Sequence, residues 1–191
     1  MNRRALAAGR LAATVLVALP CSLRAQELVV NGGFDGGLAA WRITSDGTAT
    51  YASDDITGSP GSGSARLANA SPDAAIQVVP LDQCIPLLPP GTYAISASAR
   101  VDPVQVPGRA IVGVTHFDGM ACDGAIRGGA GRSFVRSAAF VSTTFEFVLP
   151  TSGSLLLRLG VEKTNAGGVL EATFDAVSVA QTPLLFRSGF E

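Results

Sequence analysis

The stretch Tyr93-Ala-Ile-Ser-Ala-Ser-Ala-Arg-Val101 alternates in side-chain character at every step. Tyr93, Ile95, Ala97, Ala99 and Val101 fall on one face, and Ser96, Ser98 and Arg100 on the other. This is the pattern of a strand that covers a core with one side only. The same period recurs downstream. Phe145, Phe147 and Leu149 alternate with Thr144, Glu146 and Val148, and Leu155, Leu157, Leu159 and Val161 alternate with Leu156, Arg158, Gly160 and Glu162. Ile111 to Phe117 and Val169 to Val179 are β-branched or aromatic runs, which favour a pleated, half-buried surface. Turn chemistry separates them: Asn31-Gly-Gly, Ser45-Asp-Gly, Pro89-Pro-Gly, Pro107-Gly, Thr151-Ser-Gly and Asn165-Ala-Gly-Gly. The pattern predicts an all-β chain in which antiparallel strands form a two-sheet sandwich.

Between these strands, Asp118 to Ala139 reads as one long connection rich in glycine. It holds Cys122 and a positive cluster, Arg127, Arg132 and Arg136. A connection of this length is either a mobile, solvated loop or a binding loop whose arginine forks suit an acidic or polyol ligand.

At the start of the chain, Arg3, Arg4 and Arg10 precede an apolar run from Leu11 to Leu19. Pro20 ends that run, and Ala25 offers a small residue before a cut at Gln26. Residues 1–25 therefore read as a secretory signal peptide, with a lipoprotein cysteine at Cys21 as the rival reading. No later segment has the roughly 18 apolar residues that span a bilayer. Of the 14 basic residues, Arg3, Arg4, Arg10 and Arg24 leave with the signal, while all 15 acidic residues stay. The exported chain then carries 10 basic and 15 acidic groups, a net charge of -5. That balance speaks against nucleic acid as a partner. Cys84 and Cys122 remain, and an even pair in an oxidising compartment reads as a disulfide; two free buried thiols are the alternative.

Val29-Val-Asn-Gly-Gly-Phe-Asp-Gly-Gly-Leu-Ala-Ala-Trp41 resembles the opening of the carbohydrate-binding modules of families four, nine and twenty-two. Ala172-Thr-Phe-Asp-Ala-Val-Ser-Val179 resembles their closing strand, and Gly63 to Leu67 and Pro90 to Ala97 resemble their middle strands. The resemblance covers residues 27 to 180. It implies a galactose-binding-like jelly roll over 26–180, with a C-terminal tail over 181–191. It also implies that Trp41 packs in the core. The first and last strands of such a fold lie side by side, which places Asp35 near Asp175. Modules of this family often hold a structural calcium there, and two carboxylates at close range suit a hard cation. Here Asp35 stands where the family commonly has Glu. Asp46, Asp54 or Asp55 offers a further carboxylate, and two separately solvated turn aspartates are the alternative.

For a ligand, the resemblance implies a polysaccharide or other glycan. Tyr51 is the one tyrosine free of core duty, with Phe117 or Phe134 beside it. Arg100, His116 and Arg158, with Gln77, supply hydrogen-bonding groups on polar strand faces. Aromatics make up only 6% of the chain, a poor supply for stacking sugars. An extracellular or surface interaction domain without sugar binding is thus the second reading. Catalysis finds no support: there is no Gly-x-Ser-x-Gly elbow, and His116 is the sole histidine. The chain reads as a secreted or periplasmic, non-catalytic module of a Gram-negative-like exporter. Its final Gly-Phe-Glu tail resembles short tails on secreted proteins of such bacteria.

Overall fold

The computed structural model describes residues 26–59 and 61–183. The signal segment, Cys21 with its lipoprotein reading, and tail residues 184–191 lie outside the described residues. Ten strands follow in chain order: β1 (Arg42–Ile43), β2 (Thr48–Ala52), β3 (Ser64–Asn69), β4 (Gln77–Leu88), β5 (Gly91–Val101), β6 (Gly108–Phe117), β7 (Ile126–Ser133), β8 (Ser137–Leu149), β9 (Gly153–Lys163) and β10 (Leu170–Gln181). They form two five-stranded antiparallel sheets. Sheet I has the order β1-β4-β9-β6-β7 and sheet II the order β2-β3-β10-β5-β8. This is the expected two-sheet jelly roll.

The alternation seen in the sequence faces the two sheets toward each other. Ile95, Ala97, Ala99 and Val101 on β5 are buried, as are Leu155, Leu157, Leu159 and Val161 on β9, and together with Phe174 they belong to one continuous core. Each fully buried Leu adds about 1.5–3 kcal/mol over an exposed one. Tyr93 joins the core, and its hydroxyl donates to Pro89 O at 2.7 Å, so the one polar atom it buries is satisfied.

Residues 118–139 correct the expected long connection. Ile126–Ser133 is an edge strand, and the long β8 begins at Ser137. Its glycines disguise it because they carry no alternating pattern. A Cβ on Gly129 would lie 2.8 Å from Val114 O, and one on Gly131 would lie 3.1 Å from Val112 O. The close approach of β7 to β6 therefore requires glycine. β4 is equally hard to see in sequence, because it holds Pro80 and Pro86. Proline cannot donate to a ladder, and the β4–β9 register shifts between Val78 and Leu81 and between Ile85 and Leu88, where these prolines fall.

The N-terminal segment closes the sandwich. Leu28 N donates to Val179 O and Val177 N donates to Gly32 O, both at 2.9 Å, so residues 28–32 run beside β10. A Cβ on Gly32 would lie 1.9 Å from Val177 O, which explains the glycine of the Asn-Gly-Gly segment. Trp41 is buried with Phe34, ring centroids 5.4 Å apart, and its Nε1 donates to Asn31 O at 3.0 Å. Buried Gln83 ties the segment to sheet I: its Oε1 accepts Val30 N and its Nε2 donates to Val30 O, each at 2.8 Å. Cys84 and Cys122 are disulfide-bonded, anchoring the 118–125 turn to β4 with a Cα–Cα distance of 5.9 Å. The free-thiol alternative is thereby set aside.

Candidate functional site

Strand parity places Arg158 on the outer face of sheet I, with Asp82 of β4 on one side and Gly113 of β6 on the other. Asp82 is buried and turned to Arg42, whose Nε and Nη2 donate to it at 2.8 and 2.6 Å. Arg158 has no ion pair or side-chain hydrogen bond among the described residues. Its half-buried side chain lines a trough of about 190 Å³ with Gln77, Ile111 and Thr115. Gly113, Gly131 and Gly160 form part of the trough, so no side chain rises there. Such a surface offers a fork of N–H donors and small polar groups above accessible backbone, which is chemistry that grips hydroxyl-rich ligands.

The other residues expected to bind ligand do not converge on this trough. Arg100 lies on the outer face of sheet II, paired with Asp54 and with its guanidinium 5.2 Å from the Phe140 ring. Tyr51 stands at the edge of sheet II, 41% exposed, with its hydroxyl donating to Ser62 O at 3.3 Å. Its ring packs where a Cβ on Gly63 would fall, 2.2 Å from that position. His116 corrects the expectation that it lies on a polar face. It shares the inward parity of Val112 and Val114 and is 1% exposed, beyond reach of a surface ligand. Its ring meets Phe147 edge-on, with centroids 6.5 Å apart, and Nε2 has no hydrogen-bond partner among the described residues. Phe134 is likewise buried, edge-on against Phe174.

The arginine cluster of 118–139 separates. Arg127 pairs with Asp118, Arg132 lies 5.7 Å from the Phe145 ring, and Arg136 Nη2 donates to Asp102 O at 3.1 Å and Gln105 O at 2.6 Å. Each is committed to a different structural partner, so the residues do not form one binding loop.

The acidic group near the N-terminal segment centres on Asp175, which is 2% exposed. Its Oδ2 accepts Ile56 N at 2.9 Å and its Oδ1 accepts Ala176 N at 2.6 Å. Burial, opposed by these two bonds and reinforced by the charges of Asp55 and Asp35, holds its carboxyl above the ordinary carboxylate range. Asp55, by contrast, is held below that range, first by the Ser62 hydroxyl and then by backbone N–H groups of its own turn. Asp46 accepts Val79 N and Asp54 pairs with Arg100, so Asp55 is the further carboxylate here. No group of three or more His, Cys, Asp or Glu side chains that could hold a metal occurs among the described residues. Backbone carbonyls would have to complete any cation site at Asp35 and Asp175.

No family model and no curated protein matches the chain. Solved structures do match in fold. A family 16 carbohydrate-binding module superposes with a TM-score of 0.57 and 14% identity, over 81% of this chain and 99% of that one. The CBM22-1 xylan-binding domain of Paenibacillus barcinonensis Xyn10C gives 0.58 and 15%, over 82% and 95%. The enzymatically active domain of tailspike protein 4 from bacteriophage CBA120 gives 0.61 and 16%, over 82% of this chain but 21% of that one. The chain has the jelly-roll fold of carbohydrate-binding modules. It spans only about a fifth of the tailspike domain, and nearly all of either module.

Proposed function

We propose that the protein is a secreted or periplasmic, non-catalytic module that binds a glycan along the trough of sheet I. The observation that carries this reading is Arg158, a guanidinium without a partner among the described residues, in a glycine-lined depression beside Gln77 and Thr115. Support comes from the shared fold with modules named as carbohydrate-binding, and from a disulfide, which suits an oxidising compartment. Calorimetric titration with xylo- and cello-oligosaccharides tests it. Binding that falls roughly tenfold in Arg158→Ala is expected, the loss of about one charge-assisted hydrogen bond. Silence of the folded protein on a broad glycan array would overturn the reading.

A structural calcium between Asp35 and Asp175 forms part of the proposal. Its support is electrostatic: Asp35, Asp55 and Asp175 stand close enough that their charges oppose ionisation of Asp175, a conflict a cation would relieve. EDTA should lower the melting temperature and calcium restore it; an unchanged melting temperature removes the metal from the proposal. The surface interaction domain without sugar binding is favoured by one observation, that no Trp or Tyr lines the trough. The same array decides between them.

A further inference from the structure

The outer face of sheet II carries a second polar cleft, on the side of the molecule opposite the Arg158 trough. Thr173 of β10 pairs in register with Arg66 of β3 on one side and with Arg100 of β5 on the other. The three side chains therefore form one row across adjacent strands, and the two arginine backbones stand about 10 Å apart with a threonine between them. The row lines a cleft of about 290 Å³, near the lower end of the roughly 300–1,000 Å³ of small-ligand sites. Asp102, Gln105 and Glu171 stand around it.

The groups differ in how far they are committed. Arg100 is held in place by Asp54 and by the Phe140 ring. Gln105 is locked to β10, its Oε1 accepting Glu171 N at 2.7 Å. Arg66 is exposed and has no ion pair or side-chain hydrogen bond among the described residues. Thr173 is buried through its backbone and methyl but lines the cleft, and its hydroxyl makes no hydrogen bond among those residues. That hydroxyl is not one of the sealed, partnerless polar atoms of the core, so it opens to the cleft and can donate to a group placed there. The cleft thus presents a free planar fork and a free hydroxyl, with carboxylates of Asp102 and Glu171 at its rim.

We infer that this row binds the carboxylate of a uronic acid residue in an acidic glycan. A guanidinium matches a carboxylate with two parallel N–H donors, and the Thr173 hydroxyl adds a third. The rim carboxylates would repel a bare inorganic anion, but they accept hydrogen bonds from sugar hydroxyls. A uronate supplies both kinds of group on one ring. The inference is independent of the trough on sheet I, because no residue is shared between the two.

The test is titration of the isotope-labelled protein with trigalacturonate, galactotriose and sodium sulfate, followed through backbone amides and arginine Nε–H resonances. Trigalacturonate is expected to shift Arg66, Arg100 and Thr173, and its affinity to fall roughly tenfold or more in Arg66→Gln and in Thr173→Val. Arg66→Lys, which keeps the charge and loses the fork, should also weaken it. Arg158→Gln should leave it unchanged, even where that variant abolishes neutral-glycan binding on sheet I. Equal binding of galactotriose, equal displacement by sulfate alone, or unaltered affinity in folded Arg66→Gln and Thr173→Val would each overturn the inference.

Discussion

Lys163, the only lysine of the chain, is fully buried at the end of β9 without a carboxylate partner among the described residues. Its ammonium donates instead to three backbone carbonyls: Ser71 O, Gly167 O at 3.0 Å and Gly168 O at 2.9 Å. It thereby staples the 71–76 loop to the 164–169 turn, where Gly167 N also donates to Pro72 O at 3.0 Å. Hydrogen bonds from a charged donor contribute about 1.5–3 kcal/mol each, but the three cannot be summed. Gly167 and Gly168 are exposed, so their carbonyls can turn to water once the staple is gone. The desolvation cost of the ammonium also disappears with the charge. A net loss of about 2–4 kcal/mol is therefore expected for Lys163→Met, a large share of the roughly 5–15 kcal/mol of a typical domain. Urea unfolding measures the loss, and hydrogen exchange at the amides of residues 164–169 should accelerate before global unfolding. A variant within about 0.5 kcal/mol of the parent, with unchanged protection in that turn, would refute the staple.

Three further outcomes follow from particular contacts. Replacing Cys84 and Cys122 together by alanine reopens a loop with a sequence separation of 38, and should lower stability by about 4 kcal/mol in urea unfolding if the bridge acts through chain entropy. Asp175 has a raised folded-state pKa, so its ionisation costs stability: the cost is absent below the ordinary carboxylate pKa and appears as pH rises through the raised value. In EDTA, the stability of Asp175→Asn relative to the parent should therefore improve between about pH 3 and pH 7, offset by a constant loss of about 1 kcal/mol for one backbone bond; a flat difference would contradict the assigned burial and repulsion. Gly32→Ala places a methyl against Val177 O, and thermal melting should show a loss of about 1–3 kcal/mol as the N-terminal segment is pushed off β10.

Strands with one apolar face were legible from residue order. β5 and β9 are legible at the correct parity because each has one unbroken apolar face, even though Leu156 adds an apolar residue to the other side of β9. β6 was harder, since Ile111 and Phe117 make its outward parity look as apolar as the inward one. That ambiguity suggests an outer position for His116, whereas counting by two from Val112 and Val114 puts it inside. β7 and β4 escaped for opposite reasons: glycine erases alternation, and proline suggests a break where the chain in fact bulges and continues.

Alternation, turn chemistry and cysteine arithmetic were sufficient for an all-β sandwich with a Cys84–Cys122 bridge, because those properties depend on neighbours along the chain or on counting. The partners of the charged groups depended on which strands became neighbours. Only the packed sheets show that Arg158 lies beside Gly113 without a partner among the described residues, that Arg42 takes Asp82, and that Arg66 and Arg100 flank Thr173. A period of two assigns a side chain to a face, but the strand order of a sheet joins residues far apart in sequence, and that order comes from three-dimensional packing.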